Sequence, residues 1–443
     1  MTGLSLLVSC KDYLDYKPNI KMAIPTTLED AELLLSDYST MNTGYPNQGE
    51  VSGDNYFLSK DNWFALQDID DRNLYCWNSA TLTNATAWQN AYKVVYIANQ
   101  VIELLTKVDP KTEPDRYNRI QGTAHFFRAF AFHQLLANYS LAFDKSTAAT
   151  ELGVPLRLTP NIDEKLPRAT LAASYSQVLA DLMIAVEKLP ANSPTKGIPS
   201  KAAAYAALAR VYLDMADYEQ AYRYADASLQ LYDLLLDYST LDPNEYLSFS
   251  RFNNEVLFPA TAQFSEAMGE FYLYVDSTLY HGYEEGDRRK ALFFKDSPSQ
   301  PDYKTFKGSY DNTYGSPFIG LTTGEMLLVR AESAVRTHQL AQGRADINTL
   351  LTKRWEGGKY NAVDEQDADR LLRIILEERR KELIFRGLRW PDLKRLNKDS
   401  KFQVSLMRDF NGERYMLSPN SLNYGILLPQ SAITVGGLIQ NKR

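Results

Sequence analysis

The chain of 443 residues has few of the side chains that usually build metal centres, with only two cysteines and four histidines. Cys10 and Cys76 stand far apart and match no metal-ligand spacing, so they predict neither a disulfide framework nor a zinc site. The histidines form no HExxH motif or similar group, which argues against a hydrolytic metal centre. We therefore expect neither a metal ion nor a cofactor.

An excess of positive charge and a long apolar run are also missing. The formal net charge is -7 at pH 7, and no basic stretch is dense enough to follow a phosphate backbone. This argues against nucleic acid as a partner. No stretch of about 18 apolar residues is present either, so no segment is expected to span a membrane.

Tyrosine is the residue present in excess, with 29 tyrosines against 19 phenylalanines. A tyrosine ring packs as an aromatic group while its hydroxyl binds polar groups. Tyrosine therefore suits both binding surfaces and half-exposed helix contacts. The excess agrees with a ligand-binding surface but does not locate one.

The segment Leu4–Cys10 is a short apolar run that ends in small residues and a cysteine. It resembles the lipobox of bacterial lipoproteins, which implies that Cys10 is lipidated. No Lys or Arg precedes Cys10, and an export signal usually has roughly 7–15 apolar residues. We interpret residues 1–24 as a truncated lipoprotein signal followed by a polar tether. A hydrophobic tail with an unimportant thiol is the alternative.

Apolar residues recur at helical spacing along much of the chain. The pattern predicts helices over residues 87–105, 115–139 and 171–189, with Thr170 placed to cap the last of these. A shorter helix is expected from Leu28. The chain therefore reads as a series of helices joined by turns and two longer irregular segments.

The spacing of bulky and small residues that defines a tetratricopeptide unit is well matched once. Small residues let two helices approach closely, and bulky ones fill the groove between neighbours. We predict a helical hairpin with its turn at residues 215–217, and a degenerate copy at residues 325–354. The matching residues are Tyr205, Leu208, Ala209, Tyr212 and Ala221, with Ala225 and Ser228 on the small-residue face.

Residues 377–396 predict a charged helix with an apolar stripe. Gly387 is expected to end this helix and Pro391 to prevent its continuation. A second short helix is expected from Asp392 to Leu396.

The same stretch resembles the C-terminal signature of the SusD/RagB family, outer-membrane lipoproteins that capture nutrients for a TonB-dependent transporter. The similarity rests on Arg379-x-x-Glu382-Leu383 and on Gly387-x-Arg389-Trp390-x-Asp392-Leu393-x-Arg395. Shorter fragments of the family pattern follow in order over nearly the whole chain. They include Trp88-x-x-x-Tyr92, Phe127-Arg128-Ala129-Phe130, Gly153-Val154-Pro155-Leu156, Arg168-Ala169-Thr170, Arg330-Ala331-Glu332 and Leu428-Pro429.

The resemblance implies a mainly α fold, in which tetratricopeptide-like helical hairpins form a superhelix and an irregular subdomain of loops and short strands is inserted. Residues 25–443 would then form a single SusD-like domain. Its helical scaffold would cover about residues 86–140, 170–236 and 324–396, and its ligand-binding insertions about residues 41–83 and 238–320.

A function is implied as well. The protein would be anchored by lipid at the cell surface, in the outer membrane, where it would capture an oligosaccharide. It would pass this ligand to a SusC-like TonB-dependent transporter and would touch the membrane only through its lipid anchor. Capture breaks no bond, so we expect no catalytic residue and no enzyme activity. Some family members take peptides, which is the alternative ligand.

A ligand is expected at the two insertions, because binding residues concentrate on loops held by a rigid scaffold. Aromatic rings can cover the C–H face of a pyranose while amide and carboxylate groups bind its hydroxyls. For each single residue, the alternative is a hydrophobic cluster beneath a long loop. The candidates are Trp63, Trp77, Tyr75, Tyr283 and Tyr310, with Asp54, Asn55, Asp61 and Asn78 as polar partners.

Three other features are interpreted as structural. Trp88 and Trp390 lie within helix or family motifs and are predicted to be core residues. Residues 284–289 are rich in acidic and basic side chains but lack EF-hand spacing, so a solvated turn is predicted there rather than a cation site.

Two other classes of function stay open. A glycoside hydrolase needs two carboxylates that can lie anywhere in a sequence. However, no alternating βα pattern, GxSxG, P-loop or GxGxxG motif in strand context is present. An intracellular tetratricopeptide scaffold would usually need about three stacked repeats, and only one unit here matches well.

Overall fold

The computed structural model describes residues 25–193, 195–410 and 412–443, so the predicted lipidation site Cys10 lies outside the described residues. Helices dominate the described chain, which confirms the predicted mainly α fold class. In chain order, the helices are α1 Leu28–Leu35, α2 Tyr38–Met41, α3 Gln48–Ser52, α4 Lys60–Ala65, α5 Ile69–Tyr75, α6 Thr86–Leu105, α7 Pro114–Tyr139, α8 Leu171–Lys188, α9 Lys201–Asp214, α10 Tyr218–Leu231, α11 Ser277–His281, α12 Arg288–Phe293, α13 Thr323–Arg336, α14 Leu340–Thr352, α15 Ala368–Glu382, α16 Arg389–Leu396 and α17 Gln430–Thr434.

The strands are short, and those described pair only as antiparallel ribbons of two. The pairs are β1 with β3, β2 with β6, β4 with β5, and β7 with β8. Their bounds are β1 Tyr56–Phe57, β2 Val256–Phe258, β3 Tyr274–Val275, β4 Phe294–Asp296, β5 Lys304–Phe306, β6 Leu321–Thr322, β7 Leu406–Phe410 and β8 Glu413–Leu417.

The long helices form a continuous scaffold in which each packs against the next. Contacts run from α6 through α7, α8 and α9 to α10, then across to α13, which packs against both α14 and α15. The predicted tetratricopeptide hairpin is confirmed as α9 and α10. The face of α10 that carries small residues lies close to α9, because the buried Ser228 hydroxyl donates to the carbonyl of Ala202 at 2.9 Å.

Local sequence signals set several helix starts. The Thr170 hydroxyl accepts the backbone N–H of Ala173 at 3.1 Å and caps α8 as predicted. The hydroxyl of Ser200 caps α9 in the same way. Thr27 and Asp30 form a capping box at the start of α1.

The core surrounds α7, whose C-terminal half is buried on every side. Arg128 is one of the buried polar residues of this helix that are paired, which offsets the cost of burying them. The Arg128 guanidinium donates to the carboxylate of Asp181 at 2.6 Å and to the Asn99 side chain at 2.8 Å. Trp88 and Trp390 are 8% and 1% exposed, which confirms their predicted place in the core.

The prediction for the end of the C-terminal helix is wrong by several residues. Helix α15 stops at Glu382, and Phe385 and Gly387 both have positive φ in the turn that follows. Pro391 does not block a helix but lies in the first turn of α16. A proline is tolerated in a first turn because the N–H groups there have no partner within the helix.

A network of buried ion pairs surrounds Glu382 at the end of α15. Its carboxylate accepts hydrogen bonds from Arg354 at 2.8 Å and Arg289 at 3.4 Å, and all three side chains are fully buried. Arg354 also pairs with Glu255 at 2.7 Å. Burial acts to raise the pKa of Glu382, but the guanidinium groups of Arg354 and Arg289 outweigh it and the pKa is lowered.

This network corrects the prediction of a solvated turn at residues 284–289. Asp287 and Arg289 are 4% and 0% exposed and pair with each other at 2.7 Å. Arg289 further pairs with Glu378 of α15 at 2.6 Å. A charged cluster in sequence resembles a solvated face, but here its second half anchors the insertion to the scaffold. Glu284 and Glu285 are exposed, as predicted.

The two irregular segments pack on each other. Strand β1 of the first segment pairs with β3 of the second, with Tyr56 opposite Val275 and Phe57 opposite Tyr274. Farther along, Tyr45 forms an isolated bridge with Ala262. The inserted parts therefore form one surface from residues about two hundred positions apart.

Glu50 links the first insertion to the turn after α15 by accepting the backbone N–H of Gly387 at 2.8 Å. The carboxylate also accepts a bond of 3.4 Å from the Asn55 amide. Burial, reinforced by the charge of Asp54, raises the pKa of Glu50 to about 7. No described cation forms an ion pair with this carboxylate.

We expect Glu382→Ala to destabilise the protein by roughly 3–5 kcal/mol, because it leaves buried arginine charges with fewer partners. Chemical denaturation monitored by circular dichroism measures this loss. Glu377→Ala is the matched control, since Glu377 lies on the same helix but is exposed. A loss for Glu382→Ala no greater than that of the control would contradict the assigned role of the network.

Glu50→Gln is expected to change how stability depends on pH. The folded pKa of about 7 exceeds the ordinary value of 4.5, so the native protein should lose stability as pH rises from 4.5 through 7. Glutamine keeps an acceptor for Gly387 without the charge. The variant should be equally stable near pH 4.5 and more stable above pH 7, by up to about 3 kcal/mol.

Denaturation midpoints across this pH range test the expectation, with Glu103→Gln on the exposed surface of α6 as the control. A Glu50→Gln variant that is less stable than the parent at pH 8 would show that the ionised carboxylate is favoured in the native state.

Candidate functional site

Several residues predicted to bind ligand are buried. Tyr75, Tyr283, Tyr310 and Asn55 are at most 2% exposed and Trp77 is 8% exposed. The Tyr283 hydroxyl donates to the carbonyl of Lys381 at 2.8 Å, and the Tyr310 hydroxyl to Glu255 at 2.7 Å. These two rings are thus tied into the same region as the Glu382 network, and in this conformation they present no face to a ligand.

Tyr75 and Trp77 are covered by the β7–β8 hairpin. The guanidinium of Arg408 lies 3.6 Å from the Tyr75 ring centre and 4.6 Å from that of Trp77. It also donates to the carbonyls of Tyr75 and Gly53. The indole N–H of Trp77 donates to the carbonyl of Ser52 at 3.0 Å. Binding by these two rings would require the hairpin to move, and it stays a prediction.

The predicted polar partners divide into two groups. Asp54 accepts two hydrogen bonds from Arg389, at 2.6 and 2.8 Å, and Asn55 accepts one from Arg380 at 3.1 Å. Burial acts to raise the pKa of Asp54, but Arg389 and Arg380 outweigh it and lower that pKa strongly. Asp54 and Asn55 therefore connect the first insertion to the C-terminal signature, whereas Asp61 and Asn78 are exposed.

Trp63 is the predicted aromatic candidate that stays half-exposed. Its indole N–H donates to the carbonyl of Arg72 at 3.2 Å, and its ring centre lies 5.0 Å from those of both Phe64 and Phe410. Trp63 thus supports Phe64, which is 47% exposed on the outer side of α4.

A group of open rings lies where the two insertions meet. Phe64, Phe271 and Tyr303 are 47%, 57% and 38% exposed, and we call these three rings with Phe57 and Tyr274 the aromatic face. Tyr303 stacks on Tyr274 with ring centres 4.7 Å apart, and Phe57 lies edge-on to Tyr303 at 5.2 Å. The face is therefore built partly from the β1–β3 pair.

Hydrogen bonds fix the segment that carries Phe271. The Asn62 amide of α4 donates to the carbonyl of Tyr272 at 2.8 Å. On the other side, the Ser299 hydroxyl donates to the carbonyl of Phe271 at 2.8 Å. Both insertions thus hold the backbone beneath the exposed Phe271 ring.

A charged group continues the aromatic face beyond Phe271. The Lys295 ammonium lies 4.3 Å from the ring centre of Tyr246 and 4.8 Å from that of Tyr314, and it pairs with Glu270 at 2.5 Å. We call these four residues the Lys295 cluster. Partial burial acts to lower the pKa of Lys295, but Glu270 and Tyr314 outweigh it and the pKa is raised. The ammonium is therefore charged at neutral pH and can donate to a ligand.

Hydrogen bonds to two carboxylates link the segment before Phe271 to α5 and to the residues just before it. Asp71 accepts the Ser265 hydroxyl at 2.6 Å and the backbone N–H of Ala267 at 2.9 Å. In return, Glu266 accepts the N–H groups of Gln67 and Asp68 at 2.7 and 2.9 Å. Burial, with the charges of Asp68 and Glu266, raises the pKa of Asp71 to about 6.

The sequence did not single out the most exposed members of this surface. Phe64, Phe271, Tyr303, Tyr246 and Tyr314 are not among the candidates that the sequence indicates. The available signal was the aromatic content of the insertions. Sorting open rings from buried ones required the pairing of β1 with β3.

Two kinds of feature are absent from the part of the chain that the structure describes. No group of three or more His, Cys, Asp or Glu side chains is arranged to hold a metal ion. Among the helices that the structure describes, none is both long and apolar enough to cross a membrane.

Two family models match consecutive parts of the chain. One, described as starch-binding and associating with the outer membrane, matches residues 12–213. The other, described as the SusD family, matches residues 210–423. The two matches meet within α9 and together account for almost the whole chain.

Individual relatives agree with these matches. The SusD-like protein P38 of Formosa agariphila is 25% identical and aligns over 93% of this chain and 92% of its own length. Among solved structures, a SusD superfamily protein of Bacteroides thetaiotaomicron has a TM-score of 0.75 at 19% identity, covering 94% of this chain and 100% of the other. A putative sugar binding protein of Bacteroides vulgatus has the same TM-score at 20% identity, with 94% and 98% covered.

Proposed function

The chain belongs to the SusD family, whose members include carbohydrate-binding proteins. We propose that it captures an oligosaccharide on its aromatic face and passes it to a TonB-dependent outer-membrane transporter. The observation that carries the proposal is the open position of Phe64, Phe271 and Tyr303 on a rigid base. Capture of this kind requires affinity and no bond-breaking, so the protein acts as a binding protein rather than an enzyme.

The chemistry of the surface suits a sugar. An exposed phenylalanine is unfavourable in water, so several open rings on one ordered surface indicate a contact that covers them. The C–H face of a pyranose can cover such rings. At the adjoining edge, the Lys295 ammonium can donate to sugar hydroxyls and the Glu270 carboxylate can accept from them. The Tyr246 hydroxyl already donates to Glu270 at 3.0 Å and can accept a further hydrogen bond. Stacking and hydrogen bonding are thus available side by side.

The geometry also favours a ligand longer than one sugar. The aromatic face and the Lys295 cluster adjoin along the backbone at Glu270 and Phe271. One sugar ring would stack on the aromatic face while a neighbouring sugar unit reached the Lys295 cluster. This arrangement favours an oligosaccharide that lies along the surface over a monosaccharide in a closed pocket.

The remaining steps of the proposal extend the family description. A SusC-like transporter is the partner that would receive the glycan, and the outer membrane is the location. The protein would be held at the cell surface by lipid on Cys10, and this lipid would be its only contact with the membrane. Nucleic acid is not an expected partner. Tyr75, Trp77, Tyr283 and Tyr310 stay secondary candidates, because their rings become accessible only if the covering segments open.

We expect Phe271→Ala and Tyr303→Ala each to weaken binding of the recognised glycan by roughly 3- to 10-fold, the range of an aromatic contact. A panel of polysaccharides and peptide digests is first screened by affinity electrophoresis, and the hits are measured by calorimetry. Leu33→Ala is the control, because Leu33 is an apolar residue 67% exposed on α1, outside the face. Circular dichroism checks that each variant folds.

Other results would indicate a different site, a different ligand or a different function. Loss of binding in Trp77→Ala but not in Phe271→Ala would move the site beneath the β7–β8 hairpin. Retention of peptides and of no glycan would identify a peptide-binding member of the family. Release of reducing sugar from a bound glycan would overturn the binding-only function.

Cys10→Ser is expected to abolish incorporation of labelled palmitate in cells that export the chain, since Cys10 is the residue that matches the lipobox. Cys76→Ser is the matched control and should still be labelled, because Cys76 is 7% exposed and burial raises the pKa of its thiol to about 12. Mass spectrometry of the mature N-terminus is the second readout. Equal labelling of the parent and Cys10→Ser would exclude the proposed anchor.

A further inference from the structure

A cleft lies between α1, α7 and the loop before α9, and no residue of the aromatic face lines it. Its volume is about 220 Å³, compared with about 20 Å³ for the cavity beside Trp77. A cavity of the smaller size holds about one water molecule, whereas the larger one can take a small organic molecule. The lining residues are Glu32, Leu35, Ser36, Arg119, Ile120, Thr123, Thr195 and Ile198.

The inner wall of this cleft is apolar. Leu35 of α1 and Ile120 of α7 are each 2% exposed, and Ile198 contributes from the loop before α9. A hydrocarbon group placed against these side chains would gain by leaving water. The wall therefore favours a ligand with an aliphatic or aromatic part.

Thr123 belongs to the lining of the cleft and carries a buried hydroxyl without a partner. It is 2% exposed, and its Oγ1 has no hydrogen-bond partner among the described residues. A threonine within a helix commonly bonds to a carbonyl one turn earlier, which satisfies the hydroxyl. Buried polar groups without a partner are rare and unfavourable. A rotation of the Thr123 side chain about χ1 would turn this hydroxyl toward the cleft, where a ligand oxygen would satisfy it.

Arg119 adds a positive charge one turn before Thr123 on the same face of α7. Residues four apart on a helix are neighbours, so an oxygen between the two side chains can reach both. Arg119 donates to Glu32 through Nη2 only, and its Nε and Nη1 groups have no described acceptor. Glu32 is held from its other side by Arg116, through bonds of 3.0 and 2.7 Å.

We propose that this cleft binds a small organic carboxylate, whose anionic group lies between Arg119 and Thr123 and whose apolar part packs against Leu35, Ile120 and Ile198. The guanidinium provides charge-assisted hydrogen bonds, and the threonine hydroxyl donates a further one. This site is separate from the proposed glycan surface and does not depend on it.

Hexanoate and benzoate are the probes, titrated into the full chain and followed by saturation-transfer NMR and calorimetry. We expect binding in the millimolar range, as for a ligand of this size. The neutral amides, hexanamide and benzamide, should bind at least about tenfold more weakly, since they lack the charge that Arg119 recognises.

Two substitutions test the assigned contacts. Arg119→Gln should weaken hexanoate binding about tenfold or more, and Thr123→Val should weaken it roughly 3- to 10-fold while keeping the side-chain shape. Thr123→Val removes a hydroxyl that is unpaired in the unliganded protein, so its folding should be intact. Arg370→Gln is the charge-matched control, because Arg370 pairs with Glu365 on the exposed surface of α15, and it should bind as the parent does.

Four outcomes would overturn the proposal. The first is absence of hexanoate and benzoate binding, and the second is equal binding of acids and amides. The third is unchanged affinity in Thr123→Val, with Arg119→Gln also unchanged where that variant folds. If Phe271→Ala removes hexanoate binding, the probe occupies the aromatic face and the assignment to this cleft is wrong. Loss in both cleft variants with Phe271→Ala unaffected would support it.

Discussion

The buried carboxylate of Glu382 is the interaction on which the arrangement of the molecule depends. It accepts hydrogen bonds from Arg354, just beyond α14, and from Arg289 in the second insertion. Arg354 in turn holds Glu255, which precedes β2. Charges in an apolar interior are tolerated only when each has its partner. The pairs therefore hold the insertion at one position on the scaffold, as a purely apolar contact would not.

The candidate binding surface inherits its geometry from this anchoring. When the second insertion is held by α15, its strand β3 can pair with β1. The hydrogen bond from the Ser265 hydroxyl to Asp71 forms a further link between the two insertions. The aromatic face needs all of these contacts, because Phe64 comes from one insertion and Phe271 from the other. A rigid surface built from irregular segments is thus achieved by buried polar links rather than by extended secondary structure.

The sequence was informative for several features that depend on local interactions. Helical periodicity and the Thr170 cap predicted α8 to within a residue, because both depend on positions a few residues apart. The open and buried aromatic rings could not be separated in this way. Tyr75 is buried by Arg408, 333 positions away, and the Phe271 backbone is positioned by Asn62, about 210 positions away. Segments that are equally rich in aromatic residues therefore contain a buried ring in one case and an exposed ring in the other.

The abundance of tyrosine has a structural explanation besides its place on the binding surface. Irregular segments bury backbone groups that have no helix or sheet partner, and each needs a hydrogen bond. A tyrosine can supply one deep within an apolar region, as Tyr75 does for the N–H of Leu58 and Tyr283 for the carbonyl of Lys381. A phenylalanine has no such polar role. Phe64 and Phe271 are about half exposed, so their open position is better explained by a ligand than by the needs of the fold.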